Sequence, residues 1–234
     1  MLFLNAIRRI QSPAVTKMLS LKKEDVVLDA GCGSGFFSYK IAKKCGCFGI
    51  DKHIKKELIS KNNKPDSLKF LNGNVQKLPF KNESFSKLLL SNVLQMVKND
   101  VKALKECNRV LKKGGIMVLS VPVEYCCVKS LNKIKKELIK KFKSEGKGFY
   151  KYNEIASLLK NNGFKVIEKE YSPKNFGSFV YESWIYLCYH LGLPLSHWLY
   201  FPLIYPLMLL DKFCNKKNVG CEIIIKAKKF ENEA

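Results

Sequence analysis

Short apolar runs alternate with segments in which apolar residues recur every three or four positions, over most of the chain. Five runs have the length of buried strands: "DVVLDAG", "CFGID", "LKFLNGN", "SKLLLSNV" and "GIMVLSVP". Helical spacing predicts helices over "FFSYKIAKKC" and "NDVKALKECNRVLKKGG", with Leu111 on the apolar face of the second and Gly114 and Gly115 ending it. This alternation indicates an α/β fold, with a mostly parallel sheet that helices cover on both faces.

The remaining chain extends the pattern and then interrupts it. "YNEIASLLKNNGFKVIEKEY" predicts a helix, a glycine cap and a strand, and "CEIIIKAKK" predicts the last strand. Between them, residues 176–214 form an apolar, aromatic-rich insertion that is much longer than a usual connection and is expected to be helical. We expect residues 1–234 to form a single domain.

The first residues, 1–20, predict a leading helix. Leu4, Ile7 and Ile10 share one face, with Arg8 and Arg9 beside them. Such a helix can cap the fold or touch a membrane surface, and we favour capping. The segment lacks a charged region ahead of its apolar residues and a small-residue cleavage site, so we do not expect a secretory signal.

The composition is strongly basic, with 42 Lys and Arg against 20 Asp and Glu and a formal net charge of +22. The charge indicates either a polyanionic partner, such as nucleic acid or anionic lipid, or a lysine-rich surface that is simply solvated. Because the lysine pairs are scattered along the chain, we favour the solvated surface. The nine cysteines are odd in number and lack a CxxC pair or zinc spacing. We therefore expect neither a disulfide framework nor a metal site, and a reducing cytosol fits best.

The strongest local signal is "VLDAGCGSGFFS", in which Gly31, Gly33 and Gly35 follow a strand and precede a helix. Glycines there allow a tight turn and a close approach of the backbone to a ligand. The spacing differs from the dinucleotide fingerprint, because Phe36 stands where its third glycine would be. Asp51 ends the second strand, where a carboxylate can bind both hydroxyls of a ribose or cap the next helix.

Four stretches in order, "VLDAGCGSGFF", "GID", "NGNVQKLPFKNESFSKLLLSNVLQMV" and "ECNRVLKKGGIMVLSVP", resemble the class I S-adenosylmethionine-dependent methyltransferases. The similarity is to the branch that includes ubiquinone, menaquinone and other small-molecule methyltransferases. It covers about residues 20–175 and the final strand. It implies a Rossmann-like, doubly wound sheet of seven strands, with S-adenosylmethionine as cofactor and S-adenosylhomocysteine as product.

The resemblance also implies which residues bind the cofactor. Around the methionine part lie Asp29, Gly31, Gly33 and Gly35; Asp51 binds the ribose; Asn74 and Val75 border the adenine; Ser91, Asn92 and Gln95 lie near the transferred methyl group. The chain departs from the family at Asn74 and Ser86, where Asp is frequent. Asn74 can still bind the adenine amino edge, and we interpret Ser86 as a structural difference in a loop.

The resemblance implies a small-molecule acceptor, and the apolar insertion described below leads us to expect a hydrophobic or lipid-like one, methylated at or near a membrane surface. An RNA methyltransferase and a non-catalytic cofactor-binding scaffold are the alternatives, and nucleic acid is the less favoured partner. A general base is needed only if the acceptor must lose a proton. The weak candidates for it are Glu124, Tyr125, His190 and His197, and the acceptor atom stays open among oxygen, nitrogen and carbon.

The insertion contains "SWIYLCYHLGLPLSHWLYFPLIYPLMLL", which has no charged residue. Its prolines argue against one straight membrane span. We favour a helical hairpin that dips into one leaflet and covers the acceptor pocket. The alternative is a lid that packs on the protein or on a dimer partner. A basic helix over 131–142 would face anionic headgroups if it lies beside the insertion, or else simply cover the sheet. We expect a cytoplasmic protein, with or without peripheral contact at the inner membrane face.

Overall fold

A computed structural model describes residues 2–54, 64–124, 146–173, 175–192, 206–208, 210 and 220–230. The helices are α1 (Leu2–Leu19), α2 (Phe36–Ala42), α3 (Asp100–Val110), α4 (Tyr152–Asn161) and α5 (Asn175–His190), with a 3-10 turn at Leu94–Met96. The strands are β1 (Val26–Ala30), β2 (Gly46–Asp51), β3 (Leu68–Asn72), β4 (Phe85–Ser91), β5 (Leu111–Pro122), β6 (Phe164–Tyr171) and β7 (Glu222–Lys229).

The strands form one seven-stranded sheet in the order β3-β2-β1-β4-β5-β7-β6. Strands β1 to β5 pair in parallel, whereas β7 runs antiparallel to both β5 and β6. The predicted doubly wound, mostly parallel sheet is therefore confirmed. Strand order reverses between β1 and β4, and in such sheets the crevice at the carboxyl ends of the two diverging strands is the usual place for a ligand.

The centre of the sheet is buried on both faces because its strands are continuously apolar. Leu88, Leu89 and Leu90 of β4 are all fully buried. Leu88 and Leu90 pack into the hydrophobic core on one side, and Leu89 packs into the core on the other. This alternation follows from the two-residue period of a strand, and it explains why β4 reads as an unbroken apolar run rather than an amphipathic one.

Helix α1 packs against α2, β5 and β7. Its inner face carries Ile7, Gln11, Val15 and Met18, all less than 3% exposed. The spacing of these residues places them on one stripe of the helix. This burial agrees with the capping role expected for the leading helix.

One predicted boundary is wrong. The helix expected to continue to Gly114 and Gly115 ends at Val110, and Leu111 starts β5 with extended backbone (φ −81°, ψ 136°). Leu111 pairs with Phe85, but the next paired residue of β5 is Ile116, so the intervening residues bulge out of the ladder. Gly114 permits the bulge, since its φ of +68° lies in the left-handed region that favours glycine. Strand pairing therefore overrides the local helical pattern.

A buried ion pair joins β4 to the residue that precedes β1. Lys87 Nζ lies 2.8 Å from Asp25 Oδ2, with side-chain exposures of 10% and 8%. Lys87 also donates to the Ser20 carbonyl, and Asp25 accepts from the Lys22 N–H and the Ser86 hydroxyl. Burial opposes ionisation of Asp25, but these hydrogen bonds outweigh it and hold its pKa below the ordinary value. Ser86 lies within β4, so its interpretation as a loop difference is corrected.

We expect Lys87→Met to lower the free energy of unfolding by about 3 kcal/mol at pH 7, because it leaves the Asp25 carboxylate buried without its cation. Lys105→Met, at an exposed position of α3, is the matched control and should change it by less than about 0.5 kcal/mol. Urea denaturation measures both. Since the Asp25 pKa is depressed on folding, its stabilisation is present at neutral pH and should fade as the pH falls through the folded pKa. Equal losses in the two variants would contradict the prediction.

Candidate functional site

The turn between β1 and α2 is built around glycines. Gly31, Gly33 and Gly35 have φ values of +78°, +55° and +76°, in the left-handed region that side chains disfavour. The N–H groups of Gly31 and Cys32 both donate to the carbonyl of Ile50, at 2.7 and 3.0 Å. A Cβ at Gly31 would lie 2.2 Å from Val93 Cγ2. The backbone of this turn is thus held in one conformation and has no side chain at its three glycines, so a ligand can approach it closely. We call this turn the glycine cradle.

Asp51, at the end of β2, joins this loop to its own strand. Its Oδ2 accepts from the Gly33 N–H at 2.8 Å, and its Oδ1 accepts from the His53 N–H at 2.9 Å. Each carboxylate oxygen has a further lone pair, so these bonds leave capacity for a diol. Ribose binding by Asp51 stays a prediction, and the helix that it would otherwise cap lies outside the described residues.

Asp29 lies beneath the glycine turn and is only 2% exposed. The Ser38 hydroxyl donates to its Oδ2 at 2.5 Å. Burial raises the pKa of Asp29 to about 6, against the lowering effects of the Ser38 hydrogen bond and the positive charge of Arg8. A carboxylate at this depth is costly to ionise and therefore favours a cationic ligand group beside it. Burial also raises the pKa of the nearby Cys32 thiol, which excludes it as a thiolate nucleophile at neutral pH.

The chain after β4 forms the other wall of the crevice. Ser91 is buried, and its hydroxyl lies 3.2 Å from that of Ser120. Asn92 has a φ of +55°, and its N–H donates to the Ser120 carbonyl at 2.9 Å. Gln95 donates from its side-chain amide to Asn92 Oδ1 at 3.3 Å. The structure thus brings together these three predicted residues at the carboxyl edge of β4, and their role near the methyl group stays a prediction.

Glu222, which the sequence analysis missed, completes this wall. It is the first residue of β7 and is 8% exposed. Its Oε2 accepts from Asn92 Nδ2 at 2.9 Å and also from Gln11 Nε2 of α1. Because β7 is antiparallel, its start lies at the edge where the parallel strands end. A single acidic residue opening the otherwise apolar "CEIII" was the signal that could have found it.

Asn74 and Val75 follow β3 at the same edge. Asn74 Oδ1 accepts from the Gln76 N–H at 2.9 Å, which makes a side-chain-closed turn. Val75 is buried and belongs to the core beside β1 and β4. Asn in place of Asp retains the acceptor that closes this turn, so the departure from the family is structurally compatible. Their place beside adenine stays a prediction.

Two of the four candidates for a general base, Glu124 and His190, lie among the described residues. Glu124 is exposed and pairs with Lys151 at 3.6 Å, with side-chain exposures of 57% and 72%. His190 is exposed at the end of α5, with its ring centroid 4.2 Å from that of Tyr186. Tyr125 and His197 lie outside the described residues. Nothing in the geometry of Glu124 distinguishes it from an ordinary hydrated surface carboxylate.

Comparisons with known proteins give a matching domain family and several relatives. Residues 28–119 match the family described as "Methyltransferase domain". The chain is 32% identical over 166 residues to an uncharacterized protein of Methanocaldococcus jannaschii, covering 63% of this chain and 64% of that one. It is 32% identical over 110 residues to a demethylmenaquinone methyltransferase of Staphylococcus aureus, covering 44% and 46%.

Solved structures match over a longer span. An S-adenosylmethionine-dependent methyltransferase of Methanosarcina mazei superposes with a TM-score of 0.63 at 18% identity, covering 93% of this chain and 97% of that one. At this identity the superposition establishes the shared fold. The chain spans less than two thirds of the length of the curated relatives that it matches.

The Asp29 pKa gives a testable prediction. If ionised Asp29 binds the cofactor's ammonium group, affinity for S-adenosylhomocysteine should fall as the pH drops below about 6, by up to about tenfold per pH unit. Calorimetric titration between pH 5 and 8 measures this fall. Asp29→Asn should bind weakly with little pH dependence, whereas the surface variant Asp66→Asn should behave like the wild type.

The same substitution should act oppositely on stability. Because the folded pKa of Asp29 is raised, its favourable contribution is complete at acid pH and is lost as the pH rises through about 6. Asp29→Asn should therefore stabilise the ligand-free protein by about 1–2 kcal/mol at pH 7.5. An affinity that does not change with pH in the wild type would contradict the assignment of Asp29.

Proposed function

We propose that the chain, whose residues 28–119 match the methyltransferase domain family, is a class I S-adenosylmethionine-dependent methyltransferase that transfers a methyl group to a small hydrophobic or lipid-like acceptor at or near a membrane surface. The observation that carries the proposal is the glycine cradle between β1 and α2, flanked by Asp29 and Asp51. S-adenosylmethionine is the cofactor of this family, and its cationic, ribose-bearing structure suits a bare backbone with two carboxylates.

The protein's own task in such a reaction is positioning. When bound, the sulfonium supplies an activated methyl group, so an in-line displacement needs orientation and exclusion of water more than covalent help. The glycine turn and Asp51 would orient the donor. The opposite wall, with Asn92 held by Ser120 and Glu222, would face the acceptor.

Helix α5 supports a hydrophobic acceptor because it starts at this same edge. The Ser178 hydroxyl accepts from the Cys221 N–H at 2.9 Å and donates to the Pro173 carbonyl at 2.8 Å. These bonds fix the first turn of α5 beside the start of β7, where Glu222 contacts Asn92. A helix anchored there can roof an acceptor pocket.

The outer side of α5 supports contact with an apolar phase. Phe179, Tyr186, Leu187 and Leu191 are between 42% and 61% exposed, whereas Trp184 is 7% exposed. Phe179, Tyr186 and Leu187 recur with helical spacing, and Leu191 directly follows the last turn of the helix. We call these four residues the apolar stripe of α5. Exposed apolar stripes of this kind mark interaction surfaces. Among the described residues, none of the helices has the length and hydropathy needed to cross a bilayer.

The relative in Staphylococcus aureus gives a weak indication of the acceptor class. Its name specifies a demethylmenaquinone substrate, and the match covers 46% of its length. A reduced quinone is both apolar and ring-shaped, so it suits a pocket roofed by aromatic side chains. Methylation of RNA is the second candidate, favoured by the net charge of +22.

We expect purified protein with methyl-labelled S-adenosylmethionine to transfer label to a lipid extract, or to a reduced demethylmenaquinone, and not to RNA. Asp51→Ala is the blank, because it removes both the loop contact and the proposed ribose ligand. Radioactivity is counted after solvent partition. Label in RNA alone would overturn the lipid acceptor, and cofactor binding without transfer to either fraction would favour the scaffold.

The apolar stripe of α5 can be tested separately. The triple variant Phe179→Ser, Leu187→Ser, Leu191→Ser should lose most of its co-sedimentation with vesicles of phosphatidylcholine and phosphatidylglycerol, because it removes apolar area that would enter the headgroup region. Ile167→Ser, at a position 51% exposed on β6, is the matched control and should sediment like the wild type. Equal sedimentation of the triple variant and the wild type would contradict membrane contact through α5.

A further inference from the structure

We propose that Arg8 of α1 binds the carboxylate of the cofactor's methionine part, so that the leading helix completes the cofactor site. The inference rests on the proposed use of S-adenosylmethionine and deepens it. Arg8 lies outside the matched stretch of residues 28–119, in a leading helix that the sequence predicted to cap the fold or to touch a membrane surface.

The guanidinium of Arg8 stands against the middle of the glycine turn. Its Nη1 donates to the Ser34 hydroxyl at 3.2 Å. A Cβ placed on Gly33 would lie 3.2 Å from Arg8 Nη2 and 3.6 Å from Nη1. The Arg8 guanidinium therefore occupies the space next to Gly33 where a side chain would otherwise lie. A side chain there would meet the guanidinium directly, so the bare position and Arg8 belong to one arrangement.

The rotation of α1 about its axis is fixed by contacts on either side of Arg8. Ile7 and Gln11 are 2% and 0% exposed, and Gln11 donates to Glu222 and to the Ser172 carbonyl. One turn after Arg8, Ser12 accepts from Lys40 Nζ of α2 at 2.5 Å. Arg8 and Ser12 are four residues apart and share a stripe that faces the glycine turn and α2. Arg8 is thus held over the loop by packing and not only by its own hydrogen bond.

The charges around the turn match an amino-acid group. Asp29 is a buried carboxyl group two residues before Gly31, and the cation of Arg8 beside Gly33 is close enough to lower the pKa of Asp29. The methionine part of S-adenosylmethionine carries an ammonium and a carboxylate on the same carbon. A guanidinium has five N–H donors in a planar fork that suits a carboxylate, and Ser34 uses one of them here.

The alternative is that Arg8 only ties α1 to the loop through Ser34. The two roles differ in which ligands they affect. S-adenosylhomocysteine carries the amino-acid group, whereas 5′-methylthioadenosine has the same nucleoside and thioether sulfur but lacks it. If Arg8 contacts the ligand, its substitution weakens the binding of S-adenosylhomocysteine alone. If Arg8 only holds the loop in shape, its substitution weakens the binding of both compounds.

The test compares the dissociation constants of these two compounds by calorimetry for the wild type, Arg8→Met, Arg8→Lys and the neighbouring exposed variant Arg9→Met. We expect Arg8→Met to weaken the binding of S-adenosylhomocysteine about 30-fold, as for loss of a charge-assisted hydrogen bond. The binding of 5′-methylthioadenosine should weaken less than about threefold. Arg8→Lys should recover part of the loss, and Arg9→Met should match the wild type.

Each other result overturns a specific statement. Equal weakening of both compounds in Arg8→Met, or no weakening of either, overturns the role of Arg8 while leaving cofactor use intact. If circular dichroism shows that Arg8→Met does not fold, the comparison with Arg8→Lys decides. Weaker binding of both compounds by Arg8→Lys would also overturn the assignment. A wild type that binds neither compound overturns the proposed function together with this inference.

Discussion

The structure depends on the turn by which the chain leaves β1 and enters α2. Left-handed glycines make the turn possible, and the carbonyl of Ile50 holds it by accepting from the N–H groups of Gly31 and Cys32. Asp51, one residue later, accepts from Gly33. The end of β2 therefore sets the shape of the loop after β1. Because both strands are buried and paired in register, this shape cannot shift without breaking the sheet.

The opposite wall of the crevice is assembled from distant parts of the chain. Asn92 adopts a positive φ after β4, a conformation that costs free energy unless its surroundings hold it. Ser120 of β5 fixes its backbone, and Glu222 of β7 fixes its side chain. Gln11 of α1 shares the same carboxylate, so the leading helix and the last strand meet at the proposed point of methyl transfer. Both halves of the proposed site thus depend on α1, one through Arg8 and the other through Gln11.

Local patterns in the sequence predicted the strands and the glycine turn, because each depends on residues close together in the chain. The sequence could not predict the contacts that join separate elements. The Arg8–Ser34 pair spans 26 positions, and the Gln11–Glu222 pair spans 211. Periodicity shows which face of α1 is buried but not which group of another element it meets. The wrong helix boundary at Leu111 has the same origin, since pairing with Phe85 decides it.

The distribution of charge separates the surface from the proposed site. In a chain with 42 basic and 20 acidic residues, the crevice edge nevertheless gathers Asp29, Asp51 and Glu222. Carboxylates concentrated there favour a cation and oppose a polyanionic backbone entering the same crevice. Arg8 adds a cation beside Gly33 and Ser34, where we propose that the cofactor's carboxylate would lie. The local charges of the crevice therefore argue for a cationic donor, which S-adenosylmethionine is.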